Sequence, residues 1–306
     1  MAELTSLRPS GRAHPAPGML ARTGAVAVPD KAFCRQIARA AVRSLYAELA
    51  LYPKPGLVSL VDNGSHTDMT AATFMRSMFA LRRYFQHIAQ AGMQDAPFHV
   101  LKRLGIEAEG RMLRATSGIN THRGAIFCLG LLCAAIGRCR AKGVALQPAA
   151  IQAVLLMSWG AELGAHSGAT DAPSHGLEAR VRYAASGARE EGALGFPSVF
   201  GIGLPALRHA LAAGRGMRRA RLDALFALMA HVSDTNVYHR GGAAGAQEVR
   251  RQARSFIARG GTGAADWEAH ALACHRSFVA ARLSPGGAAD LLGAVCLLQA
   301  VCTGQC

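Results

Sequence analysis

Lysine is scarce: Lys31, Lys54, Lys102 and Lys142 are the only four in 306 residues. Aromatic residues make up 6% and charged residues 17%. A nucleic-acid groove built from stacking aromatics therefore has little support. No C-x-x-C pair occurs among the eight cysteines, and Cys302 and Cys306 lack the His or Cys partners of a zinc site. Most of the others lie in apolar runs such as AIFCLGLLCAAIG, where cysteine acts as a small core residue. This usage predicts a reducing compartment and a cytoplasmic location. The first twenty residues carry no continuous apolar segment of the signal-peptide type. The apolar stretches around 124–137 and 288–302 are shorter than a membrane span of about 18 uninterrupted residues, so no membrane association is expected. Strand-like alternation is nearly absent, and β-branched residues are sparse.

What is present is apolar and basic. Hydrophobic residues reach 51%, which excludes a wholly disordered chain. The net charge is +15, nearly all of it arginine. That balance suits a polyanionic partner, either nucleic acid or a phosphate-rich small ligand. Arginine replacing lysine on solvated faces accounts for it equally well.

Residues 1–29 are rich in Pro, Gly, Ala and Arg and predict a flexible tail. Residues 30–306 read as one all-α domain of about ten helices, because Ala and Leu dominate the periodic segments. Helical patterns cover 30–51, 70–90, 98–116, 124–140, 148–164, 173–184, 199–213, 218–233, 246–258, 264–281 and 285–301. The helices at 124–137 and 288–301 are apolar nearly all round and should be central. No fixed-period repeat suggests a solenoid.

Polar, glycine-bearing islands interrupt these helices. The loop 52–69 holds Lys54, then Asn63-Gly64, Ser65, His66 and Asp68. Two prolines and two glycines keep it from being helical. Lys54 can place a point charge on phosphate, while Asp68 serves equally well as a helix cap. Asn120, Thr121, His122 and Arg123 precede the buried helix, where free N–H groups attract anions and Arg123 adds a fork. Simple capping by Asn120 or Thr121 is the plainer reading. Arg189-Glu190-Glu191 reads best as a solvated charge run, and Glu107 with Arg111 as an ordinary helix-surface pair. Asp234-Thr235-Asn236, followed by His239-Arg240-Gly241-Gly242, can offer oxygen ligands to Mg²⁺ and donors to phosphate. It can also be a helix-ending turn. Ser284-Pro285 has the marks of a helix start, but Gly286 and Gly287 in a first turn each cost about 1 kcal/mol of helix propensity relative to Ala. They suggest close approach of a backbone or ligand. Asp290, beside an apolar helix, needs a compensating partner.

Together these islands resemble the triphosphoribosyl-dephospho-CoA synthase family. The resemblance runs in order through PKPGLV, NGSHTDM, GIEAE, INTHRGAIFCLGLLCAA, GFPSV, DTNVYHRGG and LSPGGAADLL, roughly residues 40–300. LVSLVDNGSHTDM and AREEG look more like its malonate-decarboxylase branch than its citrate-lyase branch. Arg123 stands where the family commonly has lysine. The resemblance implies an all-α enzyme that takes ATP and 3′-dephospho-CoA and releases adenine. Its product is the precursor of a prosthetic group, which a separate enzyme transfers to an acyl-carrier subunit. It implies Asp234 and Asp290 on Mg²⁺ or the reacting ribose, and Asp68 and His66 as further acid–base groups. It places Lys54, Arg123 and Arg240 on phosphates of ATP or dephospho-CoA, with Asn63, Ser65, Asn120, Thr121, His122, Asn236, His239, Gly241, Gly242, Ser284, Gly286 and Gly287 lining the substrate site. Two rival readings are a helical Mg²⁺-dependent nucleotide glycohydrolase and a basic nucleic-acid-binding module.

Overall fold

A computed structural model describes residues 30–168 and 187–305, with side chains at 167–168 excepted. The tail 1–29 and the helix expected at 173–184 lie outside the described residues.

Eleven α-helices and no strand occur among the described residues. They are α1 (Lys31–Leu49), α2 (Ala71–Met93), α3 (Phe98–Ala115), α4 (Arg123–Ala141), α5 (Pro148–Gly168), α6 (Ala188–Ala193), α7 (Leu204–Ala212), α8 (Gly216–His231), α9 (Thr235–Ala258), α10 (Trp267–Ala280) and α11 (Gly286–Cys302). A π-helical turn, Val199–Gly203, leads into α7. The all-α expectation holds.

α4 and α11 are the central helices. Their buried residues run almost without interruption, from Ala125 to Cys139 and from Ala288 to Val301. α4 packs on α2, α5 and α11, and α11 also packs on α1 and α8. Small residues let the backbones close. A Cβ on Gly92 of α2 would overlap the Ala134 carbonyl of α4, and one on Gly137 would overlap the Ala89 carbonyl. α4 is long and apolar enough to cross a membrane, yet 72% of that stretch is buried inside the protein. Full burial of such a helix is what its all-round apolar surface requires.

Four local expectations are corrected. The helix expected at 246–258 begins at Thr235, because the Asp234 side chain caps it by accepting from the Asn236 and Val237 N–H groups at 2.9 and 3.4 Å. The island at 234–242 is thus a helix start, and Gly242, at φ 61°, kinks the helix. Arg189-Glu190-Glu191 is no solvated run. It lies in α6, where Glu190 accepts from the Gly187 N–H at 2.7 Å and Glu191 accepts from the Ser198 hydroxyl at 2.6 Å. Asp68 does not cap α2; Thr70 does, reciprocally with Thr73. Ser284 does not cap α11, which has Pro285 at the cap position and no side-chain cap.

Candidate active site

Three helix N-termini meet at two aspartates, Asp234 buried and Asp290 partly exposed. Asp234 caps α9 and reaches across to α11, where its second oxygen accepts from the Ala288 N–H at 3.0 Å. Asp290, in the second turn of α11, lies against the first turn of α4: a Cβ on Gly124 would collide with its Oδ2, and the Ala125 N–H bonds to it. The positive ends of α4, α9 and α11 therefore surround one small volume. The glycines of the LSPGG island make this approach possible. A Cβ on Gly287 would sit 3.0 Å from Asp234 Oδ2, and one on Gly286 2.8 Å from Asn236 Nδ2.

The two carboxyls differ in their surroundings. Burial raises the Asp234 pKa, while N–H donors from Ala288, Asn236, Val237 and Gly287 act against the rise. Burial raises Asp290 well above the usual carboxylate range, and the charges of Glu48 and Asp234 add to the effect. Asp290 has no ion-pair partner among the described residues. No group of three His, Cys, Asp or Glu side chains suited to a metal occurs among them either.

Lys54 is turned inward. It is 1% exposed and bonded to the Glu48 carboxylate and, at 3.0 Å, to the Glu48 carbonyl. Glu48, buried near the end of α1, was not legible as a site residue, since it reads as one more polar position in an amphipathic helix. The rest of the 52–69 loop is fastened to the turn between α10 and α11. Ser65 donates to the Leu283 carbonyl at 2.6 Å, and His275 Nδ1 bonds the Lys54 carbonyl at 3.0 Å.

A second layer lies nearer the surface. His66 Nε2 is 2.8 Å from the Ser284 hydroxyl and its Nδ1 3.0 Å from Arg240, which also donates to the Ser65 carbonyl at 3.1 Å. With Arg240 donating to Nδ1, the Nε2 proton points at Ser284. Burial and then Arg240 lower the His66 pKa, so the ring is neutral. Asp68 is exposed, 3.6 Å from His66 Nδ1. Asn63 is exposed and uses its carbonyl to accept from the His66 N–H at 3.2 Å. Gly64 provides the turn at φ 56°. Asn236, His239 and Arg240 are exposed along α9. A Cβ on Gly241 would overlap Leu283.

At the head of α4, Asn120 accepts from the Arg123 N–H at 3.2 Å. Arg123 is half exposed and paired with Glu109 of the GIEAE island, Nε to Oε1 at 2.6 Å. His122 is buried, with Nδ1 2.6 Å from the Ser77 hydroxyl and the Phe74 ring in a T-shaped contact with it. Burial, then the Lys54 charge, lowers its pKa to about 3. Its Nε2 and the Thr121 hydroxyl are buried without a partner among the described residues.

The fold thus gathers the 52–69, 120–124, 234–242 and 284–290 islands, and a Cβ on Gly187 would touch Thr235, bringing the α6 segment alongside. Such a site offers carboxylates, the positive ends of three helix dipoles and the arginines Arg123 and Arg240 at its rim. It can hold a polyphosphate and place a carboxylate by a reacting centre.

Comparison with known proteins gives the same direction. The family described as ATP:dephospho-CoA triphosphoribosyl transferase matches residues 34–305. The chain is 40% identical over 265 residues to the 2-(5''-triphosphoribosyl)-3'-dephosphocoenzyme-A synthase of Pectobacterium atrosepticum, covering 83% of this chain and 85% of that one. It is 41% identical over 250 residues to a protein of Acinetobacter calcoaceticus named "Probable 2-(5''-triphosphoribosyl)-3'-dephosphocoenzyme-A synthase", covering 82% and 85%. No solved structure matches. The chain belongs to the ATP:dephospho-CoA triphosphoribosyl transferase family of enzymes.

Proposed function

We propose that this chain transfers the 5-triphosphoribosyl group of ATP to the 2′-hydroxyl of 3′-dephospho-CoA and releases adenine. The observation that carries the reading is the meeting of Asp234 and Asp290 beneath the N-termini of α4, α9 and α11. The bond from ribose C1′ to adenine N9 breaks, and a bond from C1′ to the acceptor O2′ forms. The acceptor hydroxyl gives up its proton to a carboxylate and the departing adenine takes one up, so the net proton transfer is from the 2′-hydroxyl to adenine. The triphosphate is not cleaved, so it must be clamped. Arg123 and Arg240 at the rim serve that purpose, with the positive ends of the three helix dipoles behind them.

Asp290 is the residue best placed to act on the reacting ribose. In the free protein its burial favours the neutral form. With a cation held beside it that preference would reverse, and Asp290 as a carboxylate would accept the 2′-hydroxyl proton or face an oxocarbenium-like C1′. Asp290 is the residue that would hold Mg²⁺ here, the ion being one that commonly takes one or two protein carboxylates beside substrate phosphates. When bound it would neutralise triphosphate charge. Asp234 serves chiefly to lock α9 onto α11, because both of its oxygens already accept from backbone N–H groups. The family's product has an α linkage where ATP has a β one, which favours direct displacement with inversion.

We read the product as the prosthetic-group precursor for the acyl-carrier subunit of malonate decarboxylase, delivered by a separate enzyme. The wording LVSLVDNGSHTDM and AREEG supports this. A cytoplasmic location is supported by seven free cysteines among the described residues. The test is chromatography of the products from ATP, Mg²⁺ and dephospho-CoA. Adenine and triphosphoribosyl-dephospho-CoA in equal amounts are expected. Adenine released at the same rate without dephospho-CoA would make the chain a glycohydrolase. Failure to release adenine, together with steeply salt-dependent binding of duplex DNA, would favour the nucleic-acid reading.

A further inference from the structure

A separate cavity of about 180 Å³ opens between α1, α8 and α11. It contains none of the residues placed in the candidate active site. Its charged lining consists of Arg43 and Arg221, and no Asp or Glu lines it. The Arg221 Nε–H is buried without a partner among the described residues. The neighbouring Cys296 does not neutralise that arginine: burial, the largest influence, holds its thiol up at about 11, so it stays uncharged. Arg43 is exposed and forms no ion pair among the described residues. It ends a row of cations, Lys31, Arg35, Arg39 and Arg43, all exposed and four residues apart on one side of α1. Like charges at that spacing destabilise a helix.

The polar lining is rich in donors. Gln299 accepts from the Arg208 Nε–H at 3.1 Å, which fixes its carbonyl and leaves its amide N–H groups free to donate. The Ser44 hydroxyl proton is committed to the Ala40 carbonyl at 2.8 Å. Leu207 and Met217 supply apolar wall, which limits solvent screening of the two guanidinium groups. A partly buried guanidinium without an anion is costly, and its planar fork matches a tetrahedral oxyanion. A single water needs roughly 10–15 Å³ of such space, so the cavity admits an ion of phosphate size.

We propose that this cavity is a second anion site, which takes a small oxyanion of the phosphate class. The transfer releases adenine and no free phosphate, so the site is not a product exit. It is also separate from the reacting centre. From Asp290 to Gln299 along α11 is about 13 Å, too far for one phosphate to span.

The test uses the full chain with dephospho-CoA at saturation, so that phosphate sites for that substrate are filled. Orthophosphate is titrated against it by calorimetry and thermal shift, at an ionic strength held constant with chloride. Saturable binding is expected. Arg221→Gln and Arg43→Gln should each weaken it at least tenfold while adenine release stays at the wild-type rate. Should Arg221→Gln fail to fold, Arg43→Gln on the exposed side carries the test. The proposal is overturned by absence of saturable binding, by unchanged affinity in the folded variants, or by acetate binding as tightly as phosphate. Because the readout is phosphate affinity, it stands or falls apart from the transferase reading.

Discussion

Asp234, which is buried, and Asp290, which is partly exposed, lie at neighbouring helix junctions, yet they are held in opposite ways. At the junction of α9 and α11, Asp234 receives N–H groups from both helices, and its charge is part of the architecture. At the junction of α4 and α11, Asp290 has the Ala125 N–H, a glycine pressed against one oxygen and two negative neighbours. A satisfied carboxylate fixes a fold. An under-satisfied one is poised for something that the protein alone does not supply.

The sharpest way to break this comparison is amide substitution. Asp290→Asn should reduce adenine release by at least about 100-fold, the range for losing a positioned acid–base group, with the melting temperature unchanged or raised. Asp234→Asn should also lose activity, but through the fold. Its amide would set a donor against the Ala288 N–H, at a cost of about 1–3 kcal/mol. Kinetics beside thermal denaturation separates the two. Equal destabilisation of both variants, or near-wild-type turnover by Asp290→Asn, would remove the distinction. The double variant should lose much less activity than the product of the single losses, because both residues serve one site.

A smaller effect comes from the glycines on either side. Gly124→Ala puts a methyl group into Asp290 itself and should lower adenine release at least about tenfold, since the carboxyl must move. Gly287→Ala places its methyl 3.0 Å from Asp234, a contact that a shift of a few tenths of an ångström relieves, so a milder loss is expected. Steady-state kinetics of the two variants checks the order.

The sequence carried much of this. The helix-rich composition announced an all-α fold, and the doubled glycine in the first turn of α11 announced the close approach that Asp234 and Asn236 make. Other features were hidden because they depend on tertiary contact. Lys54 looks like an exposed phosphate ligand beside prolines, but only the packing of the loop on α10 turns it toward Glu48. Asp234-Thr235-Asn236 fits a helix end as well as a helix start, and the N–H groups that it caps decide between them. Glu48 gives no signal, since its role comes from facing Asp290 across the α1–α11 contact.

Acid titration extends the comparison to His122. Its folded pKa of about 3 lies below the unfolded value near 6.5, so the unfolded chain binds more protons between those values. Stability from neutral His122 is complete above about pH 6.5 and is lost as pH falls toward 3. Asp290 acts with the opposite sign. Its raised pKa makes the native state the better proton binder above the unfolded value near 3.9, so stability declines as pH rises from there. His122→Gln should flatten the acid limb of a stability-against-pH curve, and Asp290→Asn the neutral limb. Urea unfolding between pH 3 and pH 8 measures both, and a variant whose curve keeps the wild-type slope would show that the group does not titrate as described.

The smallest effect belongs to Arg123, at the mouth of the Asp290 junction. It is half exposed and paired with Glu109, and such surface pairs contribute about 0–1 kcal/mol, so Arg123→Ala should hardly change the melting temperature. A guanidinium is a donor fork suited to holding phosphate and not to moving a proton. Arg123→Ala should therefore raise KM for ATP or dephospho-CoA several-fold and leave kcat nearly unchanged. Arg123→Lys should be milder, since lysine keeps the charge and loses only the fork. A fall in kcat with KM unchanged would place Arg123 in the transition state and move the clamp from the rim to the reacting centre. Wild-type constants for both substrates would reduce Arg123 to a partner of Glu109 that fixes α3 against the head of α4.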